Sequence, residues 1–168
     1  MKRAFLLGPT ASGKTEIALK LAPLMHAEII SLDSMLVYCG MDVGTAKPSA
    51  VEMAQVPHHL IDVVDANDEF SVAQYLKLTQ EVERQLSEQG KNALYVGGTT
   101  MWFKALAFGL IDLPEVSAQL RDELAQRLQD EGVMVLREEL QKVDPDAFGR
   151  IHPNDHRRLL RALETWHS

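Results

Sequence analysis

Gly8-Pro9-Thr10-Ala11-Ser12-Gly13-Lys14-Thr15 fits the pattern G-x-x-x-x-G-K-[ST], and its setting decides the fold. The apolar run Ala4-Phe5-Leu6-Leu7 before it reads as a strand, and residues 14–22 after it read as a helix. Strand, glycine loop and helix in that order make a phosphate cradle. Gly8 and Gly13 lack a Cβ, so the loop can turn its N–H groups inward. The helix that follows adds roughly half a positive charge at its N-terminus. Lys14 supplies a mobile cation, and the Thr15 hydroxyl is suited to ligating Mg²⁺. Residues 8–15 are therefore expected to bind a di- or triphosphate.

Working outward, apolar bursts alternate with helical stretches. Ala27-Glu28-Ile29-Ile30-Ser31 predicts a second strand ending at Asp33-Ser34, residues 60–64 a third, and 93–96 a fourth stopped by Gly97-Gly98. Between them, 37–57 is loop-like with a short helix at 49–55. Ser71 caps a long amphipathic helix to about 89, closed by Gly90, and a further helix spans 101–107. Strands spaced by helices predict an α/β fold, a P-loop-type parallel sheet with flanking helices. Ligands of such sheets gather beyond the carboxyl ends of the strands. The phosphate loop, Asp33-Ser34 and Gly97-Gly98-Thr99-Thr100 all fall there. From Glu115 onward strand signals cease, and 117–131, 134–143 and a stretch from an Asn154 cap to Trp166 read as helices. The expectation is a core over 1–113 and a helical insertion subdomain over 114–168, with a boundary near Leu113-Pro114.

Bulk properties exclude several classes. A chain of 168 residues that is 46% apolar and 24% charged is long enough to bury a core. No apolar stretch approaches a membrane span, and Gly8-Pro9 ends the run after Met1-Lys2-Arg3 too early for a secretory leader. Cys39 stands alone, so no disulfide framework or thiolate metal site is expected, and the compartment predicted is the reducing cytoplasm. A net charge of −7 argues against nucleic acid as a partner. Locally the balance reverses: Arg150, Arg157, Arg158 and Arg161 face a single acid, Asp155.

Asp33 has two readings, a turn cap or a carboxylate facing the phosphate loop, where it could hold metal-bound water or take a proton. Thr99 and Thr100 offer hydroxyls beside a close backbone approach. The acid that usually marks a second P-loop signature is missing or atypical. Leu60-Ile61-Asp62 fits it loosely, and the strand at 93–96 ends in glycine. The six histidines, including His58-His59 and His152 with His156, do not predict a zinc site. Arg157 and Arg161 share a helix face, either solvated and pairing with Glu164 or touching a phosphate backbone. Trp102 and Trp166 read as packing residues.

These motifs together resemble the tRNA dimethylallyltransferase (tRNA isopentenyltransferase) family. The resemblance runs in order through residues 8–15, Ser31-Leu32-Asp33-Ser34, Tyr38-Cys39-Gly40-Met41-Asp42-Val43-Gly44-Thr45-Ala46-Lys47-Pro48, Pro57-His58-His59-Leu60-Ile61-Asp62 and Val96-Gly97-Gly98-Thr99. It closes with Ile151-His152-Pro153-Asn154-Asp155 followed by Arg157-Arg158. The string from Met41 to Pro48 is the most specific part, and the match covers essentially the whole chain.

The resemblance implies transfer of a dimethylallyl group from dimethylallyl diphosphate to the exocyclic amine of the adenosine 3′ of the anticodon in tRNA, with no ATP consumed. It implies catalytic roles for Asp33, Thr99 and Lys14, and diphosphate binding by Gly8, Pro9, Thr10, Ala11, Ser12, Gly13, Lys14 and Thr15, with Mg²⁺ on Thr15. For the anticodon stem-loop it implies contacts at Asp33, Ser34, Met35, Leu36, Thr99, Arg121, Arg157, Arg158, Leu159, Leu160 and Arg161. A monomer working away from membranes is expected. Members of that family are considerably longer, so the expectation for a chain ending at Ser168 is a fragment or truncated product with weak or no activity. Competing readings are a P-loop small-molecule kinase, an adenylate isopentenyltransferase, and a non-catalytic RNA- or diphosphate-binding module.

Overall fold

The structure, a computed structural model, describes residues 1–110 and 116–168. The chain forms two compact units, Met1–Leu110 and Ile111–Ser168. The boundary expected at Leu113-Pro114 lies outside the described residues.

The first unit carries a parallel sheet in the order β1-β4-β2-β3, from β1 (Arg3–Leu7), β2 (Ala27–Leu32), β3 (His58–His59) and β4 (Asn92–Gly97). Strand alternation sorts the side chains of β2. Ile30 and Leu32 pack with Tyr75, Tyr95 and Trp102, under helices α3 (Val72–Glu88) and α4 (Thr100–Phe108). Ile29, with Leu94 of β4, packs on Ala18 and Ala22 of α1 (Lys14–Leu24). Tyr75 and Trp102 stack at 3.9 Å, a geometry worth about 0.5–1.5 kcal/mol beyond the area buried. Ser71 closes the start of α3 with a capping box shared with Gln74, and Ser49 does the same with Glu52 for α2 (Ala50–Gln55). Each cap is worth about 1 kcal/mol.

The expected third strand at 60–64 is not a strand. Pairing with β2 is confined to His58 and His59, opposite Ile29 and Ile30. Leu60 and Asp62 take left-handed backbone conformations, with φ of 60° and 54°, which no extended strand accommodates. Leu60 is apolar because it is buried in a loop. The backbone there is satisfied by residues 36–37 instead, with Asp62 N donating to Leu36 O at 3.0 Å and Val63 N to Val37 O at 2.8 Å.

The second unit contains α5 (Ala118–Asp130), α6 (Val133–Val143), α7 (Pro145–Arg150) and α8 (His156–His167). Leu124, Leu136, Leu140, Leu159 and Leu163 form its core. The short α7 was not expected, although Asp144 caps it and Pro145 opens it. Asp155, not Asn154, caps α8: its carboxylate accepts from Arg158 N at 3.0 Å. Trp166 is 57% exposed, against the expectation of packing, whereas Trp102 is buried as expected.

Candidate functional site

The turns that follow β1, β2 and β4 are tied to one another by hydrogen bonds. Gly8 N donates to Gly97 O at 3.3 Å, and Thr99 N to Leu32 O at 3.1 Å. The Thr99 hydroxyl then accepts from Ser34 N at 3.0 Å, and the two hydroxyls lie 3.4 Å apart. Thr99 stands at the N-cap of α4 without capping it, so its oxygen serves the neighbouring turn. This closeness demands glycine at 97, where a Cβ would stand 2.1 Å from Leu32 O.

The phosphate loop turns at Ala11 (φ 63°) and at Gly13 (φ 80°), the residue that caps α1. Left-handed backbone at a non-glycine residue is costly and concentrates at binding sites. Gly8 differs from expectation, because its φ is not positive; a Cβ there would instead meet Ser12 Oγ at 3.0 Å. Lys14 Nζ donates to Pro9 O at 2.5 Å, folded back over its own loop and free to exchange that carbonyl for an anion.

A cavity of about 260 Å³ lies against this loop. Thr10, Ala11, Ser12, Gly13, Lys14 and Thr15 line one side of it. Asp33 and Ser31 of the β2 side, with Ile29 and Val96, line another, and Thr45, Ala46, Pro48, His58 and Ile61 complete it. Asp33 Oδ1 accepts from Met35 N at 2.9 Å, which orients the carboxylate; Oδ2 has no partner among the described residues. Asp33 thus does both things the sequence left open, shaping its turn and facing the loop. Leu36 lines the same cavity, while Met35 is 42% exposed. Ser31 is 2% exposed and its hydroxyl finds no hydrogen-bond partner among the described residues.

The wall at Thr45–Pro48 is held by Lys47, whose ammonium lies 2.6 Å from Asp42, 2.5 Å from Asp62 and 3.1 Å from Tyr38 O. Burial works against that charge, but the two carboxylates outweigh it and raise the Lys47 pKa above the usual lysine value. Asp62, a loose fit to a P-loop acid, is therefore a structural partner of Lys47. His58 lines the cavity with Nδ1 2.7 Å from Val56 O, and burial holds its ring below the usual histidine pKa. His59 faces the other way and meets Glu28 at 2.6 Å. Neither Lys47 nor His58 stands out from the sequence as a site residue; each sits within a string that carries the family resemblance, but their roles depend on contacts between distant segments.

In the helical unit Arg121, Arg157, Arg158 and Arg161 are exposed. Arg161 pairs with Glu164 at 2.9 Å, as one reading of that face expected, and Arg158 with Asp155 at 3.2 Å. Arg157 makes no ion pair among the described residues. Leu159 is 1% exposed and belongs to the core, so its side chain offers nothing to a partner; Leu160 is half-buried against the same core. No helix among the described residues is long and apolar enough to cross a membrane.

Comparison with known proteins adds an independent line. Residues 36–168 match the family model described as IPP transferase. The chain is 51% identical over 162 residues to a tRNA dimethylallyltransferase of Neisseria meningitidis serogroup B (strain ATCC BAA-335 / MC58), covering 96% of this chain and 52% of that one. It therefore spans about half the length of the relatives it matches. Among solved structures, it resembles the full-length tRNA isopentenylpyrophosphate transferase of Bacillus halodurans, with a TM-score of 0.63 and 44% identity over 97% of this chain and 54% of that one. It also resembles a eukaryotic dimethylallyltransferase acting on tRNA, with a TM-score of 0.80 and 29% identity over 98% of this chain and 41% of that one.

Proposed function

This chain belongs to the IPP transferase family, and from that premise we propose that it serves the transfer of a dimethylallyl group from dimethylallyl diphosphate to the exocyclic amine of the adenosine 3′ of the anticodon in tRNA. The observation that carries this reading is one cavity lined by both the phosphate loop and Asp33. A phosphate-binding wall and a free carboxylate oxygen are what an alkyl diphosphate and an amine acceptor require side by side.

In this reading the loop N–H groups hold the diphosphate, and Lys14 leaves Pro9 O for a phosphate oxygen. The hydroxyl oxygens of Thr15 and Ser31 in this cavity are hard donors that fit Mg²⁺, with Thr15 the residue that would hold it directly. When bound, that ion neutralises charge growing on the departing diphosphate. The bond between the allylic carbon and the diphosphate oxygen breaks as the carbon–nitrogen bond forms. The amine nitrogen is a weak nucleophile because its lone pair is delocalised into the ring, and Asp33 Oδ2 accepts its proton. Thr99 keeps the Asp33-Ser34 turn in place through Ser34 N. The base leaves its stack to reach the donor, at a cost of a few kcal/mol offset by RNA contacts. Those contacts are assigned to Ser34, Met35 and Leu36, and to Arg121, Arg157, Arg158, Leu160 and Arg161 on the helical unit. The working state is a cytoplasmic monomer.

The test is transfer of label from dimethylallyl diphosphate to unmodified tRNA, by this chain and by one extended to the length of its relatives. Activity in the extended form, cut at least about 10²-fold by Asp33→Ala, supports the proposal. Phosphoryl transfer from ATP with no prenyl transfer would replace it with the kinase reading.

A further inference from the structure

Among the described residues, two buried hydroxyls lack a hydrogen-bond partner, those of Ser31 and Thr79. Thr79 lies on α3, away from the cavity of the phosphate loop, whereas Ser31 lines that cavity. Its neighbours two residues away on β2 and just beyond, Ile29 and Asp33, line the cavity too, as strand alternation requires of a side chain on that face. A hydroxyl taken from water and given nothing in return is unfavourable unless a ligand completes it.

The adjacent strand explains why a hydroxyl should stand there. In many phosphate-loop enzymes an acid on a neighbouring strand holds the metal through its water shell. Here the strand beside β1 is β4, which offers Val96 and then Gly97. No side chain can replace that glycine, because its Cβ would meet Leu32 O at 2.1 Å. Beyond the hydroxyls of the loop itself, the next strand along, β2, supplies an oxygen from Ser31, with Asp33 just past its end.

We propose that the Ser31 hydroxyl anchors the water shell of the divalent cation that accompanies the diphosphate, which leaves Asp33 to act as base. The division has a chemical reason. A cation held through the Asp33 carboxylate would make that group a poorer proton acceptor, while a neutral hydroxyl holds metal-bound water without competing. Ser31 is thus a positioning residue, and the inference rests on the diphosphate reading of the same cavity.

Titration calorimetry with inorganic pyrophosphate, with and without Mg²⁺, tests it on this chain and on Ser31→Ala. The variant is expected to bind pyrophosphate normally without metal and to lose about tenfold of the gain that Mg²⁺ confers. Without ligand it should melt about 2–4 °C higher, because an unpartnered buried hydroxyl has gone. A structural role for Ser31 predicts the opposite, a lower melting temperature and weaker binding in both conditions, and that result overturns the proposal. So does a full Mg²⁺ gain in Ser31→Ala. Lys14→Ala separates the two levels: it should weaken pyrophosphate binding with and without metal. If the unaltered chain binds no pyrophosphate, the diphosphate reading itself falls; if it binds with no Mg²⁺ gain, only the Ser31 assignment falls.

Discussion

Thr99 reaches Ser34 across 65 positions of chain and Arg3 reaches Glu83 across 80, whereas Arg158 and Arg161 reach acids three residues away on their own helix. These two contacts of the α/β unit exist only when the sheet is assembled. The arginine face of the helical unit is held by local pairs at the surface, worth about 0–1 kcal/mol each. Longer reaches occur there too, with Glu139 joining Arg127 of α5 to His167 of α8 and the buried Arg137 donating to Ile151 O at 3.3 Å. The difference suits the two tasks proposed for these units. Bond making needs groups fixed in advance by the fold, and contact with a charged polymer needs side chains that can exchange one anion for another at little cost.

The sharpest way to break the comparison is to place the same change in both units. Gly97→Ala should cost at least about 3 kcal/mol in urea unfolding, since its Cβ would overlap backbone at Leu32. Gly149→Ala, in α7 with nothing within 4 Å of the added methyl, should be neutral or stabilise by up to about 1 kcal/mol. Equal costs at the two sites would remove the distinction.

Ion pairs give the next contrast. Glu83, 8% exposed in its side chain, accepts from Arg3 and from Tyr95 Oη, so Glu83→Gln should cost about 1–2 kcal/mol once the 47% exposure of Arg3 is allowed for. Glu164→Gln, which frees only the exposed Arg161, should change stability by less than about 0.5 kcal/mol.

Acid should separate the units more gently. Burial holds His58 below its ordinary 6.5, against the pull of Val56 O and Glu52, so the fold prefers the neutral ring. The unfolded chain takes up that proton first, and the α/β unit therefore loses stability as pH falls below 6.5. Glu139 is held below its ordinary 4.5 by Arg127 and, against burial, by His167, so its contribution is intact above 4.5 and fades only as pH falls further. In a Trp166→Phe background the buried Trp102 reports on the α/β unit alone. Its unfolding midpoint in urea should fall between pH 6.5 and 4.5, and His58→Gln should flatten that slope. An unchanged slope would mean that His58 is not the titrating group.

Contiguous motifs were the legible part. The loop at 8–15, the strands around it and the Ser71 cap are written in neighbouring residues, because dihedral freedom, alternation and capping act within a few positions. Residues 60–64 misled because apolarity reports burial and not extension; Leu60 is buried with φ of 60°. The α7 helix carries its own signal in Asp144-Pro145, a capping acid followed by a proline that opens the helix. Leu159 shares a short basic stretch with Arg158, yet packing turns one inward and the other out.

By itself, then, the order of residues determined that a glycine loop of phosphate-binding pattern joins a strand to a helix, and that Asp33 and Thr99 lie beyond strand ends. Only the tertiary structure decided that Thr99 holds Ser34, that Lys47 braces the cavity wall, and that Ser31 lacks a partner among the described residues. The reason is range: a cradle for phosphate is made by local backbone geometry, whereas satisfaction of a buried polar atom depends on whatever the sheet brings beside it from elsewhere in the chain.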